Sequence, residues 1–455
     1  MEVSYPFSLL RPRPAGTQVD VRSKTIEHVR RVEQEASCWD YFLSGVKVAR
    51  CVSVDLPLAL FSLLLPARVG SKLVFRVLAG NGAVAMKLGQ FLSTRPDLLS
   101  PYLLKRLATL QMNAPYAGVP NVQEVFLQET GVLLPKENIH ERIGAGCISQ
   151  VYRVSLGGRD CAVKIINPQT RVQIFADLFV LHKLSKMFGA ERFFSEFQGM
   201  MQKQVDLRNE KNNTDTFRRN FWMFQSTLES NTRGNRVLEA LRGHRYSYIF
   251  PRPVVATKNM LVTEYWAGSK VGPSSAEALV HLFLKMTFQD RFIHSDLHPG
   301  NLAVVQAEQR TALVVYDAGL AHVLQKQQRE NLVDLMKNVL LNRPEATLSL
   351  IVDRNKKNKH LKEEKQLFIR ESSALWRKTQ KKQAQTPALG LEVYLLAKRH
   401  RVFLDECYTN AVMSSLYVQQ VALKSHPGFH WARLFCLAGL GREYVSLLCK
   451  WAWSG

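Results

Sequence analysis

The chain has 455 residues, 46% hydrophobic and 22% charged. This ordinary globular composition excludes disorder throughout and a body made of membrane spans. Lysine and arginine number 61 against 38 acids, a formal charge of +23, which predicts attraction to nucleic acid, anionic lipid or phosphorylated ligands without choosing among them.

At about 150 residues per domain the length predicts roughly three units. Seven scattered cysteines with no C-x-x-C pair (Cys38, Cys51, Cys147, Cys161, Cys407, Cys436, Cys449) predict a reduced compartment and no zinc or redox motif. The first fifty residues hold Arg11, Arg13, Arg22, Lys24, Arg30 and Arg31, a weak likeness to a mitochondrial targeting segment that Asp20, Glu27, Glu33 and Glu35 counter. No run of about twenty apolar residues occurs. The nearest, Val52 to Pro66, is interrupted by Asp55 and Pro57 and reads as a buried or membrane-surface helix.

Helical spacing of apolar residues runs from Lys72 to about Arg95, then over Leu98 to Leu110 and Val122 to Thr130. At Arg142 the pattern changes, and two runs of period-two character flank Gly157-Gly158, predicting a β-hairpin. A charged helix is expected from Glu191 to Asn213, then strands in YIFPRPVV and MLVTEYW, a helix from Ala276 to Phe292, strands in LAVV and ALVVYD, and helix from Asp317 onward. A strand-rich block followed by a helix-rich one predicts an α+β chain of two lobes. The expected divisions are a targeting or membrane-proximal segment (1–70), a helical extension (71–140), a small β-rich lobe (141–270) and a larger helical lobe (271–455).

Gly144-Ala145-Gly146 opens the hairpin, with Ser149 where a third glycine would complete G-x-G-x-x-G-x-V and Val151 in the valine position. Glycines let backbone N–H groups approach phosphate oxygens, although alone the pattern fits a strand bulge equally well. The neighbours change that balance. Ala162-Val163-Lys164 places a lysine on an apolar strand, where it can meet nucleotide phosphates, and Glu210, on a helix with Gln204 and Asp206, can pair with it. In FIHSDLHPGN, Asp296 and Asn301 stand five apart, the spacing of base and metal-binding asparagine in H-R-D-x-x-x-x-N. In VVYDAG an apolar run delivers Asp317 before a glycine, as D-F-G delivers a Mg²⁺ ligand.

His294 and His298 have the spacing of a zinc pair, but Pro299-Gly300 marks a loop and no third strong ligand is near. Together the ordered motifs predict a kinase-like site for ATP and Mg²⁺. The A-P-E segment is missing, and Pro344-Glu345 reads as a helix start, so a peptide-substrate platform is not expected. From Arg354 to Lys382 eleven basic residues face three glutamates, with only Phe368 and Trp376 as aromatics. That pattern predicts a solvated face or an anionic-membrane contact, not nucleic-acid binding.

These residues resemble the UbiB/ADCK (AarF-domain) family of atypical kinase-like proteins over roughly Gly80 to Leu341. The signature is Lys87-Leu88-Gly89-Gln90, matching the family's K-x-G-Q motif, followed by Ser93-Thr94-Arg95-Pro96-Asp97-Leu98-Leu99. The resemblance implies a two-lobed protein-kinase-like fold with a helical extension over the active site. It implies Lys164 as the nucleotide lysine, Glu210 as its partner, Asp296 as the catalytic-loop aspartate, and Asn301 and Asp317 as metal ligands. Lys87, Gly89 and Gln90 would form the occluding motif. The family's E-x-D falls on Gln204-Val205-Asp206, so a neutral amide replaces the glutamate and Asp206 remains as the carboxylate candidate. The glycine loop, with Gly144 and Gly146, departs from the alanine-rich loop of many members.

In function the resemblance implies support of coenzyme Q biosynthesis or mitochondrial lipid metabolism at the matrix face of the inner membrane. The expected activity is ATP hydrolysis or small-molecule phosphorylation, with quinone-biosynthesis proteins as partners, and the basic surface adds anionic membrane lipid as an expected partner. The alternative is a pseudokinase-type scaffold that holds nucleotide without turnover.

Overall fold

The computed structural model describes residues 38–50, 65–93, 101–108, 121–166, 168–187, 191–222, 247–307, 310–355 and 361–381, with isolated positions elsewhere up to 421. Residues 1–37 of the expected targeting or membrane-proximal segment, most of Val52 to Pro66, and Thr94 to Leu99 lie outside the described residues. The chain divides into two compact units, Met1–Asp215 with Pro251–Tyr265, and Thr216–Phe250 with Trp266–Gly455. One unit is built on a β-sheet and the other is rich in helices, an α+β architecture.

The first unit begins with helices α1 (Cys38–Arg50), α2 (Ala67–Gly80), α3 (Gly82–Ser93), α4 (Pro101–Ala108) and α5 (Val122–Thr130). The helix expected from Lys72 to Arg95 is two helices, because Gly82, which opens α3, takes φ +85°, a conformation that favours glycine. Both ends of α5 follow from local chemistry. The Asn121 side chain accepts from the Glu124 N–H, and Gly131 at φ +74° donates its N–H to the Leu127 carbonyl.

Strands β1 (Ile139–Ala145), β2 (Ser149–Leu156) and β3 (Arg159–Ile166) follow, then helices α6 (Pro168–Met187), α7 (Glu191–Gln204) and α8 (Leu207–Asn220). The β2–β3 hairpin closes on Gly157 (φ +57°) and Gly158 (φ +72°), the two positive φ values of a type I′ turn. Strands β4 (Ser247–Ile249), β5 (Pro253–Ala256) and β6 (Met260–Glu264) come next. The first unit's sheet is antiparallel in the order β1-β2-β3-β6-β5. One face is fully buried through Tyr152, Val154, Val163 and Ile165, which pack with Val125 and Phe126 of α5.

The run YIFPRPVV therefore divides: β5 joins this sheet, whereas β4 lies in the second unit, parallel to β9 (Arg310–Val315), which pairs on its other side with β8 (Leu302–Ala307). The charged helix expected from Glu191 to Asn213 also divides, between α7 and α8, at Val205-Asp206.

In the second unit α9 (Ala276–Leu284) ends well before Phe292, and a π turn spans Lys285–Gln289. The turn is tied by Lys285 Nζ to Asp290 Oδ1 at 2.6 Å and by the Asp290 N–H to the Lys285 carbonyl. Arg291 at φ +55° then redirects the chain into β7 (Phe292–His294). That strand pairs with β10 (Ala321–Val323), so the chain after Asp317 is not helical throughout. Three residues alone have no helical or strand pattern, and pairing decides. Helices α10 (Lys326–Leu340), α11 (Pro344–Asp353) and α12 (Glu363–Lys381) follow, with Pro344 in the first turn of α11 as the sequence predicts. Phe368 and Trp376 of the basic segment are buried, and the Trp376 indole N–H donates to Asn342.

His294 sits in this unit's core, its ring 6.0 Å from that of Phe217. Burial holds its pKa below the ordinary histidine value, opposed by the charge of Asp296.

Gly158→Val should lower stability by about 1–2 kcal/mol because a β-branched residue is strained at positive φ, whereas Gly158→Asn should be nearly silent; melting temperatures compare the two. A ring kept neutral in the folded protein takes up a proton on unfolding, so its stabilisation is complete above about pH 6.5 and is lost as pH falls below it. The acid-side decline in melting temperature should therefore be shallower in His294→Gln than in the unsubstituted chain, and equal slopes would refute the assignment.

Candidate functional site

The sequence motifs fall into two sets, one in each unit. In the first unit, strand register brings four predicted residues together. Val151 stands opposite Lys164 on β3 and opposite Gly144 on β1, and Ala162 is two residues from Lys164 on the same face. This face is half-open where the other is closed: Gly144, Val151, Ala162 and Lys164 are all partly exposed, while Tyr152, Val163 and Ile165 are buried. At the turn between β1 and β2 the Gly146 N–H donates to the Ser149 carbonyl at 2.8 Å.

Lys164 Nζ lies 2.7 Å from Glu210 Oε2, with side chains only 15% and 8% exposed. So little exposure means that each charge depends on the other, and removing one would leave a buried unpaired ion. Glu210 is in the first turn of α8, where a carboxylate also meets the positive end of the helix dipole.

Asp206 sets where α8 begins. Its Oδ1 accepts from the Arg208 N–H at 3.1 Å, and its two oxygens accept from Arg208 Nε and Nη2. Gln204, Asp206 and Glu210 thus do not share one helix: Gln204 ends α7, Asp206 caps α8, and Glu210 follows a turn later. The Gln204 Oε1 is buried with no hydrogen-bond partner among the described residues.

The K-x-G-Q segment lies on α3. Ala83, Val84 and Met86 pack in one core with Cys147 and Ile148, the residues directly after the glycine turn. Burial pushes the Cys147 thiol pKa up, and the nearby Lys87 ammonium opposes it. Gly89 is buried and Gln90 partly so. Asp206 is engaged by Arg208, and no ion pair joins it to Lys87 among the described residues.

The second unit holds the other set. The segment from His294 to Asn301 is a loop ending in a short 3₁₀ turn. Asn301 Nδ2 donates to the Asp296 carbonyl at 2.9 Å, so the amide oxygen faces away from that bond. His298 Nδ1 accepts from the Gly300 N–H at 3.0 Å, and its Nε2 lies 3.7 Å from Asp296 Oδ2. At position 300 an added Cβ would come within 2.9 Å of His298 Cε1, so a larger residue there would displace the imidazole.

Asp317 follows β9 at φ +49°, an uncommon conformation for a residue with a side chain, and its Oδ1 accepts from the Gly319 N–H at 3.3 Å. His294 joins the two carboxylate segments. Its Nε2 donates to the Tyr316 carbonyl at 3.2 Å, and its Nδ1 accepts from the Asp296 N–H at 3.3 Å. The Tyr316 N–H in turn donates to the Asn301 carbonyl at 2.8 Å.

Asn301 Oδ1 and the Asp317 carboxylate are hard oxygen donors of the kind Mg²⁺ takes, and a site with two such protein donors would leave room for phosphate oxygens and water. Zinc is poorly served. Both His294 nitrogens are engaged, and no group of three His, Cys, Asp or Glu side chains suited to a metal occurs among the described residues. Sequence reasoning missed three supporting residues: His294 as a brace, Gly300 as clearance for His298, and Tyr316, whose hydroxyl donates to the Trp266 carbonyl at 2.7 Å. The Pro-Gly step after His298 was the one visible signal for them.

The chain matches the ABC1 atypical kinase-like domain over residues 109–349. It is similar to the mitochondrial ABC1 family protein C21C3.03 of Schizosaccharomyces pombe, at 25% identity over 76% of this chain and 61% of that protein. It is also similar to the probable protein kinase UbiB of Aliivibrio fischeri, at 26% identity over 56% of this chain and 48% of the relative. A third relative is AarF domain-containing protein kinase 1 of Xenopus tropicalis, at 26% identity over 54% of this chain and 48% of that one. The chain thus spans about half the length of these curated relatives. With its sheet-based unit, its helix-rich unit and a match over more than half its length, the chain belongs to the ABC1 atypical kinase-like family and has that family's two-lobed α+β fold.

Proposed function

We propose that the protein is an ATP- and Mg²⁺-dependent enzyme that hydrolyses ATP or phosphorylates a small molecule. The observation that carries this reading is the Lys164–Glu210 pair, an ammonium held at 2.7 Å by a nearly buried carboxylate beside a glycine turn. A pair this desolvated adds little stability over apolar side chains, which favours a use for the oriented charge.

The residues divide the work. Lys164 orients the phosphates, and backbone N–H groups around Gly144 and Gly146 approach them without side chains in the way. Asn301 and Asp317 would hold Mg²⁺, which when bound neutralises phosphate charge. Asp296, with its backbone held by Asn301 and His294, orients the acceptor hydroxyl or water and receives its proton at a carboxylate oxygen. A small acceptor is favoured over a peptide because Pro344-Glu345 forms the first turn of α11 instead of an A-P-E segment.

The pathway reading rests on the relatives. One is named UbiB and another mitochondrial, which supports a mitochondrial role, and the family resemblance adds coenzyme Q biosynthesis or mitochondrial lipid metabolism at the matrix face of the inner membrane, beside quinone-biosynthesis proteins. A scaffold that holds nucleotide without turnover is the second reading. The packing of α3 on Cys147 and Ile148 favours it, since that contact restrains the turn a nucleotide would have to enter.

Nucleotide binding and Mg²⁺-dependent hydrolysis together separate the two. Asp317→Asn should lower turnover by about 10²–10³ with nucleotide affinity changed little, as for removal of a charge-stabilising group. Lys164→Ala should weaken nucleotide binding about tenfold or more. Equal negligible rates for wild type and Asp317→Asn, with nucleotide binding intact, would establish the scaffold. In cells lacking the protein, quinone and lipid profiles should be restored by wild type and not by Lys164→Ala; unchanged profiles would remove the pathway assignment.

A further inference from the structure

We propose that the outward face of α1, together with cations on α6, is a docking surface for an anionic phospholipid bilayer. The inference stands apart from the nucleotide reading, because it uses none of the residues assigned to that site. Trp39, Phe42, Leu43 and Val46 fall at i, i+3, i+4 and i+7, one stripe of a helix. All four are exposed, Trp39 at 64%, Phe42 at 57% and Val46 at 51%, and the Trp39 and Phe42 rings stack at 5.2 Å. A contiguous apolar stripe on a surface marks an interaction site, whereas single exposed residues do not.

The surroundings decide the partner. Helix α1 packs along α6, where Phe179 is also exposed and carries the Lys183 ammonium over its ring at 5.3 Å. Lys186 on α6 and Arg50 at the end of α1 are exposed as well. The acids of the two helices are Asp40 and the half-buried Asp177. In the same unit α2 exposes Arg68, Lys72 and Arg76 at i, i+4 and i+8, and no acid occurs from Leu56 to Pro96. Aromatic rings beside lysines suit the bilayer interface, where the ring enters the acyl boundary and the ammonium reaches a lipid phosphate. Protein interfaces are depleted in lysine, and Leu43 and Val46 offer no face for stacking bases. Among the described residues no helix is long and apolar enough to cross a membrane, and a helix lying on the surface needs no such length.

Flotation of the full chain with vesicles tests the surface. The protein should bind phosphatidylcholine vesicles that contain phosphatidylserine, bind pure phosphatidylcholine much less, and be released by high salt. Trp39→Ser with Phe42→Ser should weaken binding at least about tenfold. Lys183→Glu with Lys186→Glu should weaken it roughly twenty-fold or more while leaving the apolar stripe intact. Melting temperatures and nucleotide binding of both variants report whether the fold is kept, and the charge pair remains informative should the aromatic pair destabilise α1. Wild-type affinity in either folded variant overturns the proposal, as does equal binding to neutral and anionic vesicles. A concentration-dependent dimer that Trp39→Ser with Phe42→Ser abolishes, without vesicle binding, would instead assign the face to a second copy of the chain.

Discussion

An ammonium on a central strand cannot be left without a counter-charge, and much of the first unit follows from satisfying Lys164. Strand β3 is flanked by β2 and β6, so the lysine leaves the sheet only through its half-open face. The carboxylate that answers it must come from outside the sheet, and Glu210 supplies it from the first turn of α8. For that turn to begin where it does, the preceding helix has to stop. Asp206 caps the new helix, and the Leu207 N–H donates to the Lys258 carbonyl at 3.1 Å, tying its start to the β5–β6 turn. Helix break, cap and ion pair are thus one arrangement. The neighbouring Asn259 carbonyl accepts from the Ile166 N–H, so the same turn also anchors the end of β3.

The second unit meets a different constraint with the same economy of parts. Two carboxylate segments are involved, Asp296 in the loop after β7 and Asp317 after β9. A neutral His294 holds both by opposite edges of one ring, donating to Tyr316 and accepting from Asp296. Only one tautomer meets both partners, and burial against Phe217 maintains the neutral form. Asn301 adds a third tie to the Asp296 backbone. The positive φ of Asp317 is therefore held from several sides, as strained backbone at a site has to be.

What the sequence made legible was chemistry carried by residues close together in the chain. The Gly157-Gly158 turn and the helix start at Pro344 both depend on local rules, and both form as read. What it concealed depends on partners distant in the chain. Strand alternation in YIFPRPVV cannot say that Ser247–Ile249 pairs with β9 while Pro253–Ala256 pairs with β6. Ala321–Val323 becomes a strand only because β7 needs a neighbour. The division at Asp206 was different, since an aspartate followed by a first-turn glutamate is a recognisable helix start. Continuous charge from Glu191 to Asn213 masked it.

The family signature acquires a particular meaning in this chain. A lysine on α3 would be expected to look for a carboxylate in the E-x-D position, but Gln204 there is neutral and Asp206 is taken up by Arg208 and the α8 cap. Helix α3 packs on the glycine turn through Ala83, Val84 and Met86 against Cys147 and Ile148. Apolar contacts are not directional, and their strength follows the area removed from water. The Lys87 ammonium lies near the buried Cys147 thiol and makes no ion pair with Asp206 among the described residues. The helix restrains the glycine turn by packing, so the mobility of that turn is set by how tightly Met86 and its neighbours fit, and salt would alter it far less than it would an ion pair.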